Sequence, residues 1–465
     1  MQRVSLLVFL PLLACQVPQK PRAAVGADRP NFILIYADDL GYGDLGCFGS
    51  KKNRTPRLDR MADEGVRLTS FYSTSGVCTP SRSSLMTGCY PRRVNMHKDA
   101  KNGWVLFPNA RKGLHPDEVT VAEVLKTRGY QTACIGKWHL GDQREFLPTR
   151  QGFDSYFGIP YSNDMNRKNI PLPLMRGEKV IEAPVVQPPL TRRYTEAAVR
   201  FITDNKDRPF FLYLPHTMVH LPLNPGVEYK GKSANGRYGD AVEELDWSTG
   251  EILDTLKALG IDQRTMVIFT SDNGSNGRNG GSNAPLRGRK GSTNEGGMRE
   301  PCIMRWPGRI AAGKVCDEIT STMDVLPTFA RLAGAELPKG RTLDGHDSWA
   351  LWSGDASARS SYTAFYYYRI ANLQAVRQGP WKLILSHKQR GRRGVAGKQV
   401  ATRLIDLSKD IHEDVDLSAK HPDVVKRLMD LAKVARAELG DGNKAGRGQR
   451  PAGLVEKAVP LLLDK

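Results

Sequence analysis

The sequence predicts an α/β protein: a large, mostly parallel central sheet flanked by helices, with a smaller C-terminal antiparallel sheet packed by a helix. Three observations carry this. Through the first two thirds of the chain, apolar runs of strand length alternate with capped helical segments. After Gly354, short strand-like runs follow one another with no helix between them. Four of the early apolar runs end in polar, titratable residues, as strands do where an open α/β sheet binds its ligand.

Residues 31–37 (Asn-Phe-Ile-Leu-Ile-Tyr-Ala) are continuously apolar after the first, the pattern of a strand covered on both faces. Thr55-Pro56 opens a helix that Gly65 closes. Residues 66–72 return as a strand. Thr120-Val-Ala-Glu123 is a capping box ahead of a helix with Val121, Val124 and Leu125 on its apolar face, stopped by Gly129. Residues 130–135 and 209–214 read as strands, 241–259 as a helix and 266–270 as a strand. Strands separated by helices imply parallel pairing. From 334 to 354 the pattern loosens. Residues 365–368, 373–376, 381–385 and 403–407 then read as short antiparallel strands. A helix over 422–439 follows, with Val425, Leu428, Ala432, Ala435 and Leu439 on one face. Residues 442–453 are polar and glycine-rich and read as a mobile stretch. There are no internal repeats.

The chain has 465 residues, 40% hydrophobic and 25% charged, which excludes a collagen, a multi-span membrane protein and wholesale disorder. At roughly 150 residues per domain, two or three units are expected. The net charge of +19 suggests an anionic partner. Residues 1–24 carry an early Arg3 and an apolar run over 6–14 that is too short for a membrane span but suits a secretory signal, cleaved after Ala24 or Ala27. Alternatively, Leu12-Leu13-Ala14-Cys15 resembles a lipoprotein box, which makes Cys15 a possible lipid anchor. An exported protein, periplasmic or secreted, is expected. Without residues 1–27 the charge is +16. Two acid-free basic clusters hold much of it: Arg278, Arg287, Arg289 and Lys290, and then Lys388, Arg390, Arg392, Arg393, Lys398 and Arg403. The seven cysteines show no CxxC pair or disulfide framework, and Cys134 reads as a core residue.

After the predicted strands come Asp38-Asp39, Gly136-Lys137-Trp138-His139, His216 with His220, and Asp272-Asn273. Singly, each is also good turn chemistry. Together, Asp38, Asp39, Asp272 and Asn273 form a hard oxygen donor set, which favours Ca²⁺, or less readily Mg²⁺, over Zn²⁺. In Cys78-Thr79-Pro80-Ser81-Arg82, Thr79 can cap and Pro80 can occupy a first helical turn, so Cys78 is placed at a helix N-terminus. The residues alone leave open a nucleophilic thiol or a buried cysteine.

Cys78-x-Pro80-Ser81-Arg82-x-x-Leu85-x-Thr87-Gly88 resembles the signature of the type I, formylglycine-dependent sulfatases, within the alkaline phosphatase superfamily. Residues 36–47, 136–141, 158–162 and 290–301 are similar to motifs of its arylsulfatase A and N-acetylgalactosamine-6-sulfatase branches. The resemblance implies that Cys78 is converted to Cα-formylglycine by a maturation enzyme. It implies that Asp38, Asp39, Asp272 and Asn273, with residue 78, hold Ca²⁺. It implies that Arg82 and Lys137 hold the formylglycine hydrate, that His139 is the base expelling sulfate and that His220 faces the substrate. Lys290 would contact the sulfate and the leaving oxygen, and Ser162 would support the site. His216 is either substrate-proximal or structural. His97, His115, His346, His387, His412 and His421 have no motif support and read as surface or loop residues.

On this reading the domains are a signal peptide (1–27), a catalytic α/β domain (28–354) and a C-terminal α+β subdomain (355–465). The activity is hydrolysis of sulfate monoesters, on sulfated carbohydrates. A hydrated aldehyde suits it, because one hydroxyl can attack sulfur and loss of the other's proton then expels sulfate. The alternatives are a phosphoester or phosphonate hydrolase of the same superfamily, and a non-catalytic exported glycan-binding protein. No nucleic-acid-binding module is present.

Overall fold

The computed structural model describes residues 29–388 and 397–463. The signal segment, Cys15, and Arg390, Arg392 and Arg393 of the second basic cluster lie outside the described residues.

The main sheet is built from Asn31–Ala37 (β1), Val66–Tyr72 (β2), Gln131–Ile135 (β3), Ser155–Gly158 (β4), Leu174–Arg176 (β5), Lys179–Glu182 (β6), Phe210–Pro215 (β7), Thr265–Ser271 (β8), Arg299–Arg305 (β9) and Lys314–Cys316 (β10). Their order is β10-β2-β9-β8-β1-β7-β3-β4-β5-β6, with Thr320–Ser321 beside β2 as the eleventh strand. The run β8-β1-β7-β3-β4 is parallel throughout. β9 is antiparallel to both its neighbours, and the β5–β6 edge is antiparallel.

Helices cover both faces, which is why β1 is buried at every position. Ile33 and Ile35 pack on one side with Pro56–Asp63 (α1), Leu190–Asp204 (α4) and Gly236–Ala258 (α5). Phe32, Leu34 and Tyr36 pack on the other with Cys78–Thr87 (α2), Val121–Lys126 (α3) and Val325–Ala333 (α6). Cys134 is fully buried there, and all six described cysteines are free thiols. The capping box of α3 is formed in both directions between Thr120 and Glu123.

Phe365–Arg369 (β11), Asn372–Gln378 (β12), Trp381–Ile384 (β13) and Arg403–Asp406 (β14) form the expected antiparallel sheet. Pro422–Leu439 (α7) packs on it through Val424, Leu428, Ala432, Ala435 and Leu439. Val424 is the buried valine; Val425, expected on this face, is only half-buried. Tyr72, Tyr90, Met298 and Met323 of the larger unit join the same apolar cluster, so the small sheet is docked on the large one.

Several elements depart from expectation. α4 was not anticipated: its buried face of Tyr194, Thr195, Ala198 and Ile202 is weakly apolar and no side chain caps it. β9 reads Arg-Glu-Pro-Cys-Ile-Met-Arg, whose proline and charges hide a strand buried throughout. α6 was not anticipated either, although a capping box between Ser321 and Asp324 precedes it and Gly334 closes it. The segment expected to be mobile over 442–453 is instead tied down. Lys444–Ala445 pairs with Gly440–Asp441, Arg450 grips Glu118 through Nε at 2.7 Å and Nη2 at 2.9 Å, and Gly453–Leu454 pairs with Lys112–Gly113. His97, expected at the surface or in a loop, lies in a loop but is 3% exposed, beside Arg92.

Candidate active site

β8, β1, β7 and β3 are consecutive and parallel, so their carboxyl ends share one edge. That edge receives Asp272-Asn273, Asp38-Asp39, the segment leading to His220, and Lys137 to His139. Gly136 is required at one junction. Its φ is +133°, and a Cβ there would lie 1.9 Å from the Pro215 carbonyl, next to the bond from Lys137 N to Pro215 O of 2.7 Å. Asp39 and His139 adopt left-handed backbone (φ 61° and 62°), an uncommon conformation for non-glycine residues.

Cys78 is the first residue of α2. Thr79 is not the cap; its hydroxyl accepts the Leu106 N–H (3.2 Å) and ties the 104–107 loop to the helix start. Pro80 lies in the first turn, where its missing N–H costs no helix bond. Arg82, one turn on from Cys78, projects from the same helix face. Its Nε and Nη2 donate to Asp272 Oδ2 at 3.1 and 2.8 Å, and its Nη1 donates to the Lys137 carbonyl at 2.8 Å.

Around the Cys78 Sγ stand Asp38 Oδ1 at 3.4 Å and Lys290 Nζ at 3.9 Å. Lys137 Nζ donates to Asp38 Oδ2 (2.5 Å) and Ser162 Oγ (3.3 Å). Lys290 Nζ donates to Asp39 (2.8 Å), and His220 Nε2 lies 3.7 Å from Asp39 Oδ2. Asp38, Asp39, Asp272, Arg82, Lys137 and Lys290 contribute three charges of each sign, so the cluster is neutral by itself.

Burial opposes ionisation of Asp38, but Lys137 foremost, with His220, Arg82 and Lys290, holds its carboxyl well below the usual range. Burial and the adjacent Asp38 charge push Asp272 up to about 6. Burial, then Asp272, pushes the Cys78 thiol up, so as a plain cysteine it stays protonated. Lys290 is half-buried, and although desolvation opposes its charge, the Asp39 carboxylate lifts it above an ordinary lysine.

The His139 Nε2 lies 3.0 Å from the Leu106 carbonyl. A carbonyl only accepts, so Nε2 carries the hydrogen and Nδ1 presents a lone pair; Nδ1 has no hydrogen-bond partner among the described residues. Burial and Lys137 lower its pKa and keep the ring neutral. His220 Nδ1 similarly faces the Asn163 Oδ1 and Leu221 carbonyl oxygens, which leaves Nε2 towards the cleft.

The residues fit a divalent cation. Ligand atoms of Asp38, Asp39, Cys78 and His220 lie within 4.8 Å of one another. Asn273 Oδ1 is buried without a hydrogen-bond partner among the described residues, while its amide donates to Asp39 Oδ1 at 2.7 Å. Burial first, and then Asp38, lifts the Asp272 carboxyl, and a dication beside it would favour its ionised form.

His216 stands apart from this group. It is 0% exposed, with Nε2 3.2 Å from Ser248 Oγ on α5 and its ring beside Tyr194. A ring sealed under two helices cannot touch substrate, so its placement is structural. Ser162 is buried and positions Lys137. The cleft above the cluster, about 500 Å³, is lined by Asp39, His220 and Lys290, and also by Asp164 and Asn276, which the sequence reading did not single out. Asn163, which holds His220, was missed too. No sequence signal marks these three: they are single polar residues in loops.

The strand-end cluster defines a hydrolytic site built for an anionic ester. The model of the sulfatase family matches residues 30–335, and that of the N-sulphoglucosamine sulphohydrolase C-terminal region matches 290–435. The chain belongs to the sulfatase family and is a sulfuric ester hydrolase. It is 38% identical to human arylsulfatase A over 92% of each chain. It is 39% identical to mouse steryl-sulfatase over 77% of this chain and 70% of that one. It is 41% identical to dog N-acetylgalactosamine-6-sulfatase over 77% and 72% respectively. Among solved structures it resembles PsFucS1 sulfatase from Pseudoalteromonas sp., with a TM-score of 0.78 and 29% identity over 88% of this chain and 90% of that one. It also resembles Ps i-CgsB in complex with k-i-k-neocarrahexaose, with a TM-score of 0.75 and 30% identity over 87% and 92%. Membership implies a formylglycine and a bound metal.

Proposed function

We propose that this protein removes sulfate from sulfated carbohydrates, using formylglycine made from Cys78 and Ca²⁺ held by Asp38, Asp39, Asp272 and Asn273. The observation that carries it is the charge-balanced, buried cluster converging on Cys78 at four adjacent strand ends. Carbohydrate as substrate is supported by the likeness to N-acetylgalactosamine-6-sulfatase and to Ps i-CgsB, solved in complex with k-i-k-neocarrahexaose. When bound by these residues, Ca²⁺ would supply Lewis-acid charge for an anionic ester, and a formylglycine at position 78 would supply a nucleophile able to release sulfate.

The chain's own residues do the rest. Adding a dication to a neutral cluster leaves it positive, which draws in the anionic ester. Lys137, Arg82 and Lys290 are fixed before substrate arrives, and such preorganised charge is usually the largest catalytic contribution. His220 and Lys290 border the cleft and are placed to protonate the departing alcohol. His139, neutral with its Nδ1 lone pair unpaired, is placed to take the proton whose removal releases sulfate. The early cation and short apolar run of the N-terminal segment support an exported protein. Fractionating cells that express the full chain, with N-terminal sequencing of the product, tests that.

The central experiment is a mass spectrum of the Cys78 peptide followed by kcat/KM on nitrophenyl sulfate and nitrophenyl phosphate, with and without calcium chelation. The reading expects the aldehyde, preference for sulfate, loss of turnover on chelation, and a fall of about 10⁴-fold or more in Cys78→Ala. Preference for phosphate by the matured protein, or full activity in Cys78→Ala, would overturn it.

A further inference from the structure

A second groove, about 610 Å³, is linked to the catalytic cleft through the chain. Two chain segments run from one to the other. In the first, Leu106 bonds both Thr79, next to Cys78, and His139, and Phe107 then lines the groove. In the second, Ser162 touches Lys137, Asp164 lines the catalytic cleft, and Arg167 lines the groove.

The lining is cationic. Lys101, Arg111, Arg167 and Lys457 face it against only Asp99 and Glu456. Asp99 is already committed: its Oδ1 accepts the backbone N–H groups of Lys101 and Gly103. Arg167 sits with its guanidinium 5.7 Å from the centre of the Phe107 ring. It has no carboxylate partner among the described residues, and no described ion pair involves Lys101, Arg111 or Lys457. Phe107 is 37% exposed, an uncommon position for a large aromatic. A flat apolar face beside unpaired cations matches a sugar ring bearing an anionic group.

The wall supplied by the C-terminal tail is fixed in place. Gly453–Leu454 pairs with Lys112–Gly113, Val455 N donates to the Arg111 carbonyl at 2.9 Å, and Arg111 Nε donates to the Val455 carbonyl at 2.8 Å. Val459 N donates to Gln143 Oε1 at 2.7 Å, so the tail is held on both sides of residues 456–458. A groove held open in this way loses little freedom on binding.

We propose that this groove is a second, non-catalytic sulfate subsite that holds the neighbouring sulfated sugar of an oligosaccharide, with Phe107 against the ring and Arg167 on the sulfate. The inference rests on the carbohydrate reading above and goes beyond it by predicting selectivity for substrates sulfated on adjacent residues.

The test uses the matured full chain and a pair of defined oligosaccharides that differ only in a second sulfate on the sugar next to the cleaved one. The readout is the ratio of kcat/KM, doubly over singly sulfated. The proposal expects a ratio above one that falls about tenfold in Arg167→Gln, the size of one charge-assisted hydrogen bond, and falls less in Lys457→Gln. Arg167 is exposed, so its replacement leaves the core intact. Binding of the same pair to Cys78→Ala, with and without Arg167→Gln, should show the same loss without turnover. If singly and doubly sulfated sugars are cleaved equally and Arg167→Gln changes neither, the subsite is wrong and the carbohydrate reading stands. If nitrophenyl sulfate is cleaved but no sulfated saccharide is bound or cleaved, the carbohydrate reading falls and takes the subsite with it.

Discussion

At the scale of the residue, the site is an exercise in burying charge. Asp38, Asp272, Arg82 and Lys137 are all 0% exposed, which is tolerable only because each faces an opposite charge at hydrogen-bond distance. The chemistry-bearing residues were legible in the sequence because they sit in short contiguous motifs at strand ends. His216 was ambiguous for a physical reason: a histidine just past a strand can turn into the cleft or under the sheet. The structure turns it under, and burial lowers its pKa to about 3. The folded protein therefore keeps it neutral, while the unfolded chain takes up a proton below about pH 6.5. Its effect on stability is absent above pH 6.5 and becomes a loss of about 1.4 kcal/mol per pH unit as pH falls towards 3. Denaturant melts from pH 7 to 4 should show His216→Gln losing less stability than the parent across that range. Parallel curves would contradict the buried placement.

At the scale of the element, the small C-terminal sheet supports the loop that carries Lys290. Lys382 on β13 reaches Glu295 Oε1 at 2.8 Å, Glu413 Oε1 at 2.9 Å and the Thr293 carbonyl at 2.8 Å, with Tyr367 stacked on its ammonium. Arg369 donates to the Gly291 carbonyl and Thr293 to Gln374. Although burial opposes it, Lys382 foremost holds the Glu295 carboxyl down to about 2. Lys382→Met should cost about 3 kcal/mol, because it leaves the buried Glu413 carboxylate without a cation while Glu295 keeps only the more distant Arg299 and Arg377. It should also lower kcat on nitrophenyl sulfate by loosening Lys290. Unchanged melting and unchanged kcat would remove this role. None of these partners could be paired from the sequence, since Lys382 and Glu295 are separated by 87 positions. The parallel strands were readable as apolar runs. β9 and α4 were not, because their burial comes from neighbours and leaves a weak mark on their own composition.

At the scale of the whole molecule, the charge excess has a site to serve. The first basic cluster lies in the loop that ends at Lys290, and the proposed subsite adds unpaired cations along the second groove. A field of this kind raises the encounter rate with anions and is screened by salt. Raising ionic strength from about 0.01 to about 0.3 M should reduce kcat/KM more steeply for a polysulfated oligosaccharide than for a monosulfated one. Equal slopes would give the charge another purpose. What the sequence determined by itself was the fold class and the motifs, because apolar periodicity and strand-end chemistry are local and survive in one dimension. The tertiary structure decided which of those residues meet. It set His216 aside, brought Asp164 and Asn276 to the cleft and Asn163 onto His220, and folded the C-terminal tail along the second groove. Those outcomes depend on contacts between segments tens to hundreds of residues apart, whose energies exist only once the chain is closed on itself.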